Sequence, residues 1–290
     1  MSALVHRARF AEAWAAERRR ARLSWALGLG LMAAAIWGAA ILGEVDLARL
    51  WDRLPRFGSY FGRMVPQLSV ETFAADMARW YWNLGSWAAA LWQTILIAVY
   101  ATLFGAAGAY AFSFLAARNL APSPWARFGA RRALEVARTV PELVFAVLFV
   151  YAFGIGPLAG VLAIALHSFG ALGKLFADVA ENADPEQLRG VRATGASWAQ
   201  IMVWGATPQV APDYLGYALL RFEINVRAAS VLGFVGAGGI GQELYGAIKQ
   251  FNLTDASAIA LMLIGAVVAV DAASTWARGR LIGADALSAR

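Results

Sequence analysis

Residues 221–241 read RFEINVRAASVLGFVGAGGIG, and the two ways of reading them lead to different folds. The last six, Gly236-Ala237-Gly238-Gly239-Ile240-Gly241, fit the G-x-G-x-x-G turn that cradles a dinucleotide. That turn needs a strand before it, a helix after it and an acid about 20 residues further on. The alternative is a membrane span that carries Arg221, Glu223, Asn225 and Arg227 and ends in glycines. Composition decides between them: 60% hydrophobic residues, 15% charged residues and a mean hydropathy of +0.55 lie outside the range of soluble domains. The lead is then a helix, and Asp255, 14 residues past Gly241, stands before a further apolar run. Gly233, Gly236, Gly238, Gly239 and Gly241 are expected to pack helices closely at the outer end of the span or to form a moving external gate.

Working outward, residues 24–43 are free of charge, enough to cross a hydrocarbon core of roughly 30 Å at about 1.5 Å per residue. With no convincing cleavage site, this segment is read as a retained anchor. Further spans are expected at 84–117, 138–154, 157–177, from about Thr207 into the opening stretch, and at 256–276. The chain is therefore expected to be an all-α integral membrane protein of about six transmembrane helices. Residues 1–83 hold a tail, the first span and an external segment; 84–280 form the transmembrane core; 281–290 are a second tail. With the N-terminus inside, the inside segments carry 17 Lys and Arg against 6 outside, which predicts two cytoplasmic termini. The external segment 44–86 carries Trp51, Phe57, Tyr60, Phe61, Trp80, Tyr81 and Trp82, which suits an amphipathic piece lying in the lipid headgroups.

The positive-inside bias also accounts for most of the +6 net charge, so no nucleic-acid partner is implied. There is no cysteine, and His6 and His167 are far apart without clustered acids, so no metal site is indicated. His167 reads as a hydrogen-bonded packing residue. The acids Glu142, Asp213 and Asp271 are too scattered to compose a catalytic set, which argues against a membrane-embedded enzyme. No internal repeat is visible, which argues against an ion-coupled transporter.

The loop ENADPEQLRGVRATGASWAQIMVWGATPQ, residues 181–209, contains two helix starts. Asp184 is placed to cap a helix beginning at Pro185, with Gln187 three residues on, and Gly195 to end it in a left-handed turn. Ser197 and Gln200 repeat the capping pattern, and Pro208 is expected to break or kink the chain before the fifth span. A cytoplasmic helix-Gly-helix elbow of this kind is shaped to be gripped by another protein. Thr194-Gly195-Ala196-Ser197 followed by Pro208 resembles the coupling loop of type I ABC importer permeases. Arg189, Gly190 and Val191 occupy the slots of that loop's usual E-A-A, Gly205 and Thr207 those of its Ile and Leu. RFEINVRAASVLGFVGAGGIG and TVPELVFAVLF (139–149) resemble permease subunits of phosphonate-type importers, which also carry phosphite and related oxyanions.

The resemblance implies one half of a homodimeric pathway in a bacterial inner membrane. It implies separate ATPase subunits that bind ATP and Mg, an external solute-binding protein, and no cofactor in this chain. It places coupling at Asp184, Pro185, Arg189, Arg192, Ala193, Thr194, Gly195, Ala196, Ser197 and Pro208. The translocation pathway is expected at Arg221, Glu223, Asn225 and Arg227, and two readings of these charges stand together: a structural pair between Glu223 and Arg227, four residues apart, and an anion path lined by Arg221, with Arg227 in one state.

Overall fold

The computed structural model describes residues 2–44 and 46–282, and it is helical, with no strand among them. It divides into two units, residues 1–62 and 63–290. In the first, helix α1 (Ser2–Leu42) contains a candidate span, Glu17–Leu42, whose side chains are unburied. Helix α2 (Leu47–Met64), most of which belongs to this unit, exposes Leu50, Trp51, Leu54, Phe57 and Phe61. These recur at helical spacing with Arg49, Asp52, Arg53 and Arg56 set between them.

The second unit opens with α3 (Phe73–Trp80) and is built around α4 (Leu84–Ala116) and α7 (Pro157–Ala180), which pack on each other more extensively than any other pair. Ala98, Ala101 and Ala109 of α4, with Ala159 and Ala163 of α7, are fully buried. A Cβ added at Gly105 would stand 2.7 Å from the Ser168 Cβ. Small residues let the two backbones approach where lipid offers no hydrophobic drive to association. Helix α10 (Thr207–Leu232) packs on both members of this pair, and α11 (Ile240–Lys249) and α12 (Leu253–Ile282) pack on α4.

Among the described residues four helices are long and apolar enough to cross a membrane, and up to six crossings result if each of two bent pairs is one span. The first bent pair corrects the third expected span. Instead of a straight helix over 138–154, α5 (Pro124–Thr139) meets α6 (Glu142–Phe153) at 86°. The cause is Pro141, whose ring drives Val140 out of the helical region to φ −77°, ψ 124°. With 12 residues, α6 covers about 18 Å, well short of the bilayer core.

Of the break or kink expected at Pro208, the structure shows no break but a local widening of the helix just before the proline. A short α9 (Trp198–Gln200) runs through a π-helical stretch, Ile201–Ala206, directly into α10. Widening the turn ahead of the proline avoids the clash and missing bond that a proline imposes on an α-helix. Side chains meet backbone carbonyls of the wide turn: Thr207 Oγ1 donates to Met202 O at 2.9 Å and Gln209 Nε2 to Gly205 O at 2.8 Å.

Candidate coupling and translocation sites

The elbow stands as helix α8 (Pro185–Ala193), a glycine turn and α9. Asp184 Oδ1 accepts the Glu186 N–H at 2.9 Å. The Asp184 N–H goes to Gln209 Oε1 at 2.8 Å, not to Gln187, so the cap ties the elbow to α10 instead of closing on itself. Gly195 has φ +82°, a conformation that other residues resist. The Ser197 N–H donates to Gln200 Oε1 at 2.8 Å, and Trp198 Nε1 donates to the Leu120 carbonyl at 2.7 Å. Leu188, Ile201 and Met202 are buried in one cluster with Phe114, Leu172, Phe176 and Tyr214. The elbow is thus fixed to the transmembrane helices from inside, while Pro185, Arg189, Arg192, Ala193, Thr194, Gly195, Ser197 and Pro208 are exposed and Ala196 is half-buried. Arg189 forms an ion pair with Glu186, so an acid lies one turn before the slot where the resemblance expects one.

The glycine stretch follows α10 and a single 3-10 turn, so no strand precedes it and the dinucleotide geometry is absent. Gly236, Gly238 and Gly239 have positive φ and bend the chain by 45° into α11. Gly233 and Gly241 face each other: a Cβ on Gly233 would stand 2.7 Å from the Gly241 Cα, and one on Gly241 would stand 1.8 Å from the Ser230 carbonyl oxygen. The stretch is anchored to its neighbours, with Gly156 N–H donating to Gly236 O at 2.9 Å and Ile240 N–H to Thr94 Oγ1 at 2.8 Å.

The four polar residues of α10 separate into three environments. Asn225 is wholly buried; its Nδ2 donates to Thr102 Oγ1 of α4 at 2.8 Å, and it exchanges hydrogen bonds with Ser168 of α7. Arg221 Nε donates to the same Ser168 hydroxyl at 3.0 Å. Arg221 and Asn225 therefore share a face, as their spacing of four requires, and close a polar chain across three helices.

Glu223 does not pair with Arg227. Its Oε1 lies 2.9 Å from Arg278 Nη1 of α12, and neither atom has another hydrogen-bond partner among the described residues. Asp271, two turns before Arg278 on the same face, is a further electrostatic neighbour of Glu223. Helix packing overrides the local i,i+4 geometry here: the buried acid pairs with α12, and Arg227 remains an electrostatic neighbour of Glu223 without an ion pair to it.

Arg227 is exposed and lines a cleft of about 410 Å³ between the start of α6 and α10, with Pro141, Glu142, Leu143, Ile224 and Val231. It makes no hydrogen bond or ion pair of its own among the described residues, and neither do the terminal nitrogens of Arg221. Glu142, beside the cleft, is an electrostatic neighbour of Arg221, and its Oε2 lies 3.5 Å from His167 Nδ1. His167 Nδ1 donates to the Val140 carbonyl oxygen at 3.1 Å. Placing a guanidinium at membrane depth costs about 2.5–3.5 kcal/mol on insertion scales, which sets these two arginines apart from surface charges. Sequence reasoning names Glu142 only as a scattered acid without a role, and it does not name Arg278. A readable signal existed for Arg278, since Asp271, Ser274 and Arg278 mark one stripe of an otherwise apolar helix.

Comparison with known proteins agrees with this architecture. The sequence profile for "Binding-protein-dependent transport system inner membrane component" matches residues 109–282. The phosphate-import permease protein PhnE of Mycolicibacterium smegmatis is 42% identical over 257 residues, 87% of this chain and 46% of that protein. The phosphite transport system permease protein PtxC of Stutzerimonas stutzeri is 35% identical over 257 residues, covering 87% of this chain and 89% of its own. The chain thus spans somewhat under half the length of the first relative and most of the second. Among solved structures, an inward-facing MetNI methionine ABC transporter aligns over 67% of this chain and 95% of its own with TM-score 0.57 at 17% identity. A bacterial ABC transporter involved in the import of alginate aligns over 85% and 99% with TM-score 0.58 at 11% identity. Those two likenesses bear on the fold. On its sequence the chain belongs to the inner membrane components of binding-protein-dependent transport systems.

Proposed function

We propose that this chain, with a second copy of itself, forms the translocation pathway of an ATP-driven importer for a phosphorus oxyanion such as phosphite, phosphonate or phosphate. The observation that carries this reading is the pair of arginines with unpartnered terminal nitrogens, Arg221 and Arg227, at membrane depth in a chain whose relatives are named for phosphate and phosphite. A guanidinium stays charged and presents a planar fork that matches two oxygens of such an anion. Glu223 and Asn225, buried between helices, support the fold of this region, so the pathway reading narrows to Arg221 and Arg227.

The elbow at 185–204 is assigned as the contact for a separate ATPase subunit, which would hold the ATP and Mg. Its exposed tip can be gripped, and its buried base continues unbroken into α10, so a push on the tip is delivered to the helix bearing both arginines. The glycines from Gly233 to Gly241 would let the outer end of that helix bend as the pathway opens. Both termini are assigned to the cytoplasm, and α2 to the outer lipid surface.

The test is to purify the tagged permease under mild conditions and identify what accompanies it. An ATP-binding subunit should copurify, and hydrolysis by the complex should rise when a solute-binding protein loaded with phosphite, methylphosphonate or phosphate is added. Isolation of an active transporter without an ATPase would refute the assignment in favour of ion coupling.

A further inference from the structure

The cleft that Arg227 lines also contains an acid that the pathway reading leaves unexplained. Glu142 opens α6 immediately after Pro141, so its position is fixed by a proline-directed bend and not by a flexible loop. It is partly exposed to the cleft, and among the described residues the ring nitrogen within 4 Å of its carboxylate is His167 Nδ1, at 3.5 Å. It forms no short ion pair with either arginine, although it is an electrostatic neighbour of Arg221 and lines the cleft together with Arg227. The arginines keep their terminal nitrogens free. This arrangement balances charge without using up the hydrogen-bonding forks.

Resting on the oxyanion reading above, we infer that Glu142 is a built-in counter-ion, which holds the place of the oxyanion near Arg221 and Arg227 while the pathway is empty and is displaced when one arrives. A carboxylate suits this role because it carries one negative charge and two acceptor oxygens, the same features by which a guanidinium engages a phosphorus oxyanion. A loose electrostatic hold is needed, since an anion held tightly in a pathway does not leave. The acid also sets a threshold. A small anion such as chloride, which cannot satisfy a planar fork, gains little by displacing it, whereas an oxyanion replaces its contacts in kind. The side chain therefore acts on selectivity and on the strength of binding in the pathway.

The experiment measures equilibrium binding of labelled inorganic phosphate to the complete detergent-purified complex of permease and ATPase. Glu142→Gln keeps the shape and removes the competing charge, and should tighten phosphate binding about tenfold, equivalent to about 1.4 kcal/mol. Glu142→Asp keeps the charge and should bind as the parent does. Arg227→Gln should weaken binding and serves as the control on the pathway. If Arg227→Gln weakens binding and Glu142→Gln does not tighten it, the counter-ion role is overturned and the pathway reading stands. If neither variant alters binding, the pathway reading fails and the inference falls with it. Equal tightening in Glu142→Asp would assign the effect to packing and also overturn the role. The unaltered complex gives an independent readout: phosphate should raise the modification of Glu142 by a hydrophobic carbodiimide, scored by mass spectrometry, because displacement frees the carboxyl. Protection by phosphate, or no effect, would contradict displacement whether or not the variants assemble.

Discussion

Glu223 shows how far a single residue could be read from the sequence. A charge in a span had to face protein, and it does, with 8% of its side chain exposed. Its partner was not legible, because Arg227 stands four residues away in sequence whereas Arg278 is brought up only by the packing of α12 on α10. The correction changes what mutations should do. Glu223→Gln or Arg278→Gln alone leaves a buried charge uncompensated and should destabilise by about 3–5 kcal/mol, while the double variant should recover much of the loss. Thermal melting of the purified permease in detergent reads this directly. Combining Glu223→Gln with Arg227→Gln should bring no recovery; recovery there would restore the local pair. Arg221 needs a related revision. Its bond to Ser168 makes it part of the buried chain to Asn225 and Thr102, so Arg221→Gln should lower permease abundance modestly as well as transport. Loss of a hydrogen bond to a charged group costs about 1.5–3 kcal/mol.

At the scale of elements, the elbow was the most legible part, because capping residues and a helix-ending glycine are local signals: Asp184, Pro185, Gly195 and Gln200 occupy the places their chemistry requires. What local signals could not give was continuity. Pro208 reads as an interruption and is absorbed by a π-helical turn, whereas Pro141, over which a single span is expected, bends the chain. Gly195→Val should cost more than the roughly 1 kcal/mol of an ordinary glycine replacement, because a β-branched residue tolerates positive φ poorly. The variant should insert in the membrane yet fail to retain the ATPase, as copurification would show; normal import with the ATPase still bound would remove the elbow from the coupling role. The short α3 offers a pH test. Asp76 accepts hydrogen bonds from Thr72 Oγ1 at 2.8 Å and the Ser69 N–H at 3.2 Å and meets Arg79 at 2.6 Å. The Thr72 hydroxyl, followed by the Ser69 amide, holds its carboxyl below the ordinary 3.8. A depressed acid stabilises the folded form above its ordinary value and loses that contribution as pH falls through the folded one. Hydrogen exchange of residues 66–83 should therefore be flat from neutral pH down to about 4 after correction for intrinsic rates, and quicken below. Asp76→Asn should quicken it already at neutral pH.

At the scale of the whole molecule, composition and charge-free runs sufficed for an all-α membrane protein, since a bilayer leaves few ways to satisfy a backbone. The size of α6 and the cleft beside it were not legible, because both depend on where α5 and α10 come to lie. The expected tail at 281–290 lies almost entirely outside the described residues. Orientation is open to test in this cysteine-free chain: Ser59→Cys in α2 should react with an impermeant thiol reagent in intact cells and Gly129→Cys in α5 should not, both positions being exposed. Reaction at Gly129→Cys would invert the topology. The most direct measurement is initial uptake of labelled phosphite into proteoliposomes containing the complete transporter and its binding protein, normalised to permease content. Uptake should require ATP inside the reaction's ATPase compartment, fall at least tenfold, or about 1.4 kcal/mol, in Arg227→Gln, and recover in part in Arg227→Lys, which restores charge without the planar fork. Uptake that proceeds on an ion gradient without ATP, or that is unchanged in Arg227→Gln, would contradict the account.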